Sequence, residues 1–179
     1  ISNPDNLYVP YLENYIDFLT IFIGEDESQF KKLENNKSTR INLIKELSDT
    51  SRFKNYMLGN IHLQWAVARL KFKEYFTAAI EINKAYRLLE KNAELFPEFL
   101  PNKISLGVLH IMIGMVPDKY QWLLNIISME GSVVKGRNEL NHVLDQSSHN
   151  EIYSYLKVET LFYLGFVDIN IKTDTTQLD

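Results

Sequence analysis

Two five-residue stretches of the chain share one pattern. Leu58-Gly59-Asn60-Ile61-His62 and Leu106-Gly107-Val108-Leu109-His110 both read LGxxH, the second copy 48 positions after the first. Two imidazoles at matching positions of a repeat could begin a metal site, since neutral imidazole is a strong ligand for zinc and its neighbours. Such a site needs further ligands. No carboxylate lies four residues from either histidine and the chain has no cysteine, so packing or hydrogen bonding is the expected role of His62 and His110. Glu139-Leu140-Asn141-His142 has the Glu-x-x-His spacing that sets both side chains on one helical face, as in carboxylate-bridged two-metal bundles. Those bundles require a second copy and two further glutamates, so a solvated face is expected instead.

Other chemistry is missing by pattern. There is no GxSxG, no phosphate-binding GxxxxGK[ST], no GxGxxG after a strand and no HExxH. The residues therefore give no catalytic group, cofactor site or metal site, and the chain reads as a protein that is not an enzyme. Asn36-Lys37-Ser38 fits the glycosylation triplet, which carries meaning only in a secretory context.

The elements that must hold these residues are helical. There is no sustained period-two alternation and no Asn-Gly or Asp-Gly hairpin turn. Tyr8, Tyr11, Tyr15, Phe18 and Phe22 follow spacings of 3, 4, 3 and 4, which line aromatic rings along one side of a first helix, with Pro10 either in its first turn or kinking it. Glu25-Asp26-Glu27-Ser28 suits the start of a second helix, running to about Ser48 and expected to break at the polar Asn35–Thr39. Asp49-Thr50-Ser51 offers caps for a third helix, and a fourth ends before Pro97, whose ring cannot continue the hydrogen-bond ladder. A fifth helix stops at Pro117, a short sixth reaches Gly131, Ser132 caps a seventh, and a long eighth follows Asn150.

Candidate starts near residues 3, 51, 101 and 150 give a period of roughly 48–50 residues. The expected units are 3–50, 51–100, 101–149 and an incomplete 150–171, in one helical-repeat domain followed by a mobile polar tail over 172–179. Gly59, Gly107 and Gly165 fall inside helices, where glycine costs about 1 kcal/mol against alanine. Close approach of a neighbouring helix would offset that cost at each of the three.

Composition sets the outer bounds. With 179 residues there is room for one domain with a proper core, and 45% hydrophobic against 23% charged content is ordinary globular usage. A net charge of −4 with scattered lysine and arginine gives no footprint for a phosphate backbone, so nucleic acid is not an expected partner. No apolar run approaches the length of a membrane-spanning helix. The missing initial methionine and the lack of cysteine favour a bacterial cell-envelope or periplasmic protein whose leader has been removed, with the cytoplasm as the alternative.

Leu58-Gly59 and Leu106-Gly107, with His62 and His110 near the position of an aromatic, resemble the first-helix signature of tetratricopeptide repeats. Tyr75, Ala78, Ile82 and Ala85 resemble the pattern of the second helix. The period departs from the family's 34 or so residues, and the proline expected near Glu90 arrives only at Pro97, so the repeats are tetratricopeptide-like rather than standard. Over about residues 56–144, the run Gly107–Pro117, then Trp122-Leu123-Leu124, then Met129–Gly136 is similar to the inclusion-body-clearance family of repeat proteins. The resemblance implies an all-α scaffold of antiparallel helix hairpins, about seven or eight helices stacked in a right-handed superhelix. It brings no catalytic residue.

Two surfaces are the functional candidates. Tyr8, Tyr11 and Tyr15 lie on a terminal helix with one neighbour fewer, and Tyr155, Phe162 and Phe166 lie on a last helix that lacks its hairpin partner. The expected function is a non-catalytic scaffold or adaptor that binds a peptide, a protein or its own copy through these residues. The alternative is a small-ligand carrier or accessory enzyme subunit with a pocket near Trp122 and His110.

Overall fold

The computed structural model describes residues 6–117, 122 and 129–175. Every regular element among them is helical: α1 (Tyr8–Gly24), α2 (Glu27–Lys45), α3 (Lys54–Lys71), α4 (Tyr75–Leu95), α5 (Leu100–Gly114), α6 (Val133–His149) and α7 (Leu156–Thr175), with a 3-10 turn at Glu151–Tyr153. The all-α class expected from the sequence is what the chain adopts. Most of the short helix expected between Pro117 and Gly131 lies outside the described residues. The chain forms two compact bodies, Ile1–Phe96 with α1–α4 and Pro97–Asp179 with α5–α7.

In the first body, helices one repeat apart run side by side. Tyr8 packs edge-on against Phe53, Tyr11 against Tyr56, and the Lys71 ammonium donates to the Phe22 carbonyl at 3.0 Å, so α1 and α3 are parallel along their length. These pairs are 45 to 49 residues apart in sequence, a packing consistent with a helical stack. Helices consecutive in sequence run antiparallel. Asp17 and Arg40 join α1 to α2, while a side chain added at Gly59 of α3 would strike Leu89 of α4. Ile21, Phe30, Ile44, Met57, Leu58, Ile61, Trp65 and Ala68 form the core between them.

Helix α2 is continuous, where a break was expected over Asn35–Thr39. The reason is that its inward residues are polar and find polar partners. Asn36 and Arg40 both donate to Asp17 Oδ2, at 3.0 and 2.5 Å, and Lys37 reaches Glu81 of α4. Asp26 caps this helix as its acidic start suggested, accepting from the Ser28 and Gln29 amides at 2.7 and 3.3 Å. The cap expected at the start of α3 is different in kind. Ser51 Oγ accepts from the Phe53 amide at 3.3 Å, which makes a turn two residues ahead of the helix rather than a side-chain cap on it.

The second body is built on α5 and α6, antiparallel and very close. A Cβ added at Gly136 would lie 2.3 Å from the Gly107 carbonyl, and one at Gly114 would lie 2.5 Å from the Val133 nitrogen. Leu100, Ile104 and Ile111 of α5 join Leu140 and Val143 of α6 and Leu156, Leu164 and Val167 of α7 in one core. Ser132 caps α6 by accepting from the Lys135 amide at 3.0 Å, in line with the sequence. The last helix starts at Leu156, some residues later than expected, because Asn150 accepts from the Ile152 amide at 3.0 Å and turns the chain through the 3-10 segment. It then continues to Thr175, beyond the point where the polar tail was placed.

Candidate functional site

The LGxxH stretches do the same three things in each body. Leu58 and Leu106 enter the core, Gly59 and Gly107 lie against the second helix, and each histidine turns a ring nitrogen onto a glutamate of that helix. His62 Nδ1 is 2.6 Å from Glu81 Oε2, and His110 Nδ1 is 2.6 Å from Glu139 Oε2. A carboxylate can only accept, so Nδ1 carries the proton in both rings. The pairs are not equivalent in register. Glu81 stands four residues before Ala85, whose carbonyl faces Gly59, whereas Glu139 stands three residues after Gly136, whose carbonyl faces Gly107.

Around His62 the pair extends to a third group. Lys37 of α2 forms an ion pair with Glu81 Oε1, and all three side chains are almost wholly shielded from solvent. Burial opposes ionisation of Glu81, but the hydrogen bonds from His62 and Lys37 outweigh it and hold the carboxyl at about 2. Burial pushes the Lys37 ammonium down from its ordinary value, against the pull of Glu81. Lysine and glutamate cancel as a pair, so the cluster works as an interhelical clamp among α2, α3 and α4.

Two further clusters tie the first body together. Trp65 Nε1 donates to Asn14 Oδ1 at 2.9 Å and Asn14 Nδ2 donates to Gln64 Oε1 at 2.6 Å, joining α1 to α3. Arg69 of α3 forms ion pairs with Glu34 of α2 and Glu74 before α4 while its guanidinium lies over the Phe30 ring. None of these pairings was read from the sequence. The available signal was Asn14 and Asp17 in an otherwise aromatic helix: with Pro10 and Ile21 they form the buried line of α1, at spacings of 4, 3 and 4.

Because that line is the inward one, the aromatic stripe of α1 straddles the edge of the core. Tyr11 and Phe18 pack on it, while Tyr8, Tyr15 and Phe22 remain substantially exposed. Between α1 and α2 a cleft of about 360 Å³ opens, lined by Glu13, Ile16, Asp17, Asn36, Thr39, Arg40 and Leu43.

Helix α7 is apolar on two opposite sides. Leu156, Leu164 and Val167, with Thr160 among them, face the core. Across the helix, Val158, Phe162, Phe166 and Ile169, with Tyr155 in the turn just ahead of its first residue, are between 57% and 77% exposed. The structure thus brings Tyr155, Phe162 and Phe166 into one stripe, extended by Val158 and Ile169, at spacings of 3, 4, 4 and 3.

Two expectations take a different form. Gly59 and Gly107 do sit where a side chain would collide, but a Cβ at Gly165 meets nothing within 4 Å, so no close approach explains that glycine. The pocket expected near Trp122 and His110 rests on a helix that mostly lies outside the described residues. Trp122 itself is exposed, and His110 is fully buried against Glu139. No helix among the described residues is long and apolar enough to cross a membrane.

Comparison with protein-family models, with curated proteins and with solved structures gives no match to this chain.

Proposed function

We propose that the chain is a tetratricopeptide-like helical scaffold that binds a protein partner through the outer face of α7. The observation that carries this reading is the stripe of Tyr155, Val158, Phe162, Phe166 and Ile169, more than half exposed at every position. A helix that is apolar on both sides belongs in the interior of something. Contiguous apolar surface of this kind is characteristic of interaction sites, where tyrosine and phenylalanine anchors supply most of the binding free energy. The 3–4 spacing fits an amphipathic helix of the partner laid along α7, its own apolar residues between these side chains. The parallel packing of α1 on α3 supports the stacked-repeat part of the reading.

The test is a photo-crosslinking amino acid placed at Phe162 in the full chain inside its native cell. A discrete adduct at this position, absent with the same probe at exposed Ser148, and lost when Val158 and Phe166 are both changed to glutamate, is the expected result. Equal labelling at the two positions, or none at Phe162, would sink the reading. Light scattering of the purified chain separates a second copy from a foreign partner.

A further inference from the structure

The cleft between α1 and α2 differs in chemistry from the apolar stripe of α7. Its floor is the Asp17–Arg40 ion pair at 2.5 Å, with Asn36 donating to the same Asp17 oxygen at 3.0 Å. Its sides are apolar, with Ile16 strongly exposed and Leu43 partly so. Glu13 stands at the lip with a side chain 56% exposed and only a long 3.7 Å contact to Arg40 Nε. The charge balance is one cation against two carboxylates.

We propose that this cleft is a subsite for a basic side chain, lysine or arginine, carried on an apolar segment of a peptide. The argument is one of unmet charge. Arg40 is largely buried and engaged by Asp17, so its positive charge is already matched. Glu13, Asp17 Oδ1 and the Thr39 hydroxyl then remain as acceptors around the opening, and an incoming cation completes the balance. An incoming anion would meet two carboxylates on its way to an occupied guanidinium. Ile16 and Leu43 receive the alkyl stem of the basic residue and its apolar neighbours, as such stems cover apolar surface while the charged head stays hydrated. A volume of about 360 Å³ leaves room for one long side chain with water rather than for a helix. The subsite goes beyond the reading of α7 and does not depend on it.

The test uses the full chain, isotopically labelled, and three peptides: acetyl-Leu-Arg-Leu-amide and the versions with norleucine or glutamate in the middle. The arginine peptide should give saturable NMR shifts at the Ile16 and Leu43 methyls and the Thr39 amide, weakening as salt is raised. Glu13→Gln, a change at an exposed position, should weaken that binding about threefold to fivefold, the range of an exposed ion pair. Equal binding of the norleucine peptide would reduce the cleft to an apolar patch and overturn the proposal. Tighter binding of the glutamate peptide would assign Arg40 as an anion site and overturn it too, as would no saturable shift with any peptide. None of these outcomes bears on crosslinking at Phe162, so the two readings fail separately.

Discussion

His62 of α3 and Glu81 of α4 stand 2.6 Å apart inside the first body, with Lys37 of α2 on the other carboxylate oxygen. Three helices therefore meet on one ionised carboxyl. Its acidity is held at about 2 against an ordinary 4.5, so the folded state favours the charged form. A carboxylate lowered in this way contributes stability that is fully present above its unfolded value and is lost as pH falls through the folded one. The window is pH 4.5 to 2. At about 1.36 kcal/mol per unit, the shift from 4.5 to about 2 is worth on the order of 3 kcal/mol. Urea unfolding at a series of pH values should show the wild type losing this amount across the window. Glu81→Gln should be several kcal/mol less stable at neutral pH, because Lys37 and His62 keep buried donors without an anion. The gap between the two proteins should close towards pH 2, and parallel curves would refute the linkage.

The glycines make a contrast of opposite signs. At Gly136 an added methyl would lie 2.3 Å from the Gly107 carbonyl, a backbone atom that cannot rotate away. Gly136→Ala should therefore force α5 and α6 apart and cost about 1–3 kcal/mol or more, as overpacking does. At Gly165 the same methyl meets nothing, and the helix gains the difference between alanine and glycine. Gly165→Ala should stabilise α7 by about 0.5–1 kcal/mol. Thermal unfolding by circular dichroism reads both, and a fall in Tm for Gly165→Ala would show that α7 packs more tightly there than the structure has it.

The helices were legible because their apolar residues and prolines report local geometry. Pro97 and Ser132 mark the ends they were expected to mark, and the LGxxH repeat shows itself as Gly59 and Gly107 beneath a second helix. What escaped was polar and long-range. The polar run Asn35–Thr39 reads as a break in α2 because an inward polar residue such as Asn36 or Lys37 looks, in sequence, like a surface one. Only the arrival of Asp17 and Glu81 from other helices turns them inward. The same holds for the histidines, whose carboxylates come from 19 and 29 residues away and from different registers of the partner helix. Local spacing has no access to such pairs. The face of α7 is the converse case: Tyr155, Phe162 and Phe166 were candidates from the sequence, and Val158 and Ile169 join them only once Leu156, Leu164 and Val167 have taken the core side.

Asn14 gives the most direct test of how α1 is fastened to α3. It is fully buried, accepts from the Trp65 indole at 2.9 Å and donates to Gln64 at 2.6 Å. Asn14→Leu keeps the volume close and strands both partners, so it should cost about 2–4 kcal/mol, the sum of one buried donor and one buried acceptor left unsatisfied. Replacing the partners as well removes the penalty's cause. In a Gln64→Leu, Trp65→Phe background the same Asn14→Leu change should cost less than half as much, because no polar group is then left without a bond. Urea unfolding of the four proteins completes the cycle, with circular dichroism as the probe since the indole is altered. An equal cost in both backgrounds would mean that Asn14 contributes through shape alone, and the polar seam between α1 and α3 would lose its energetic standing.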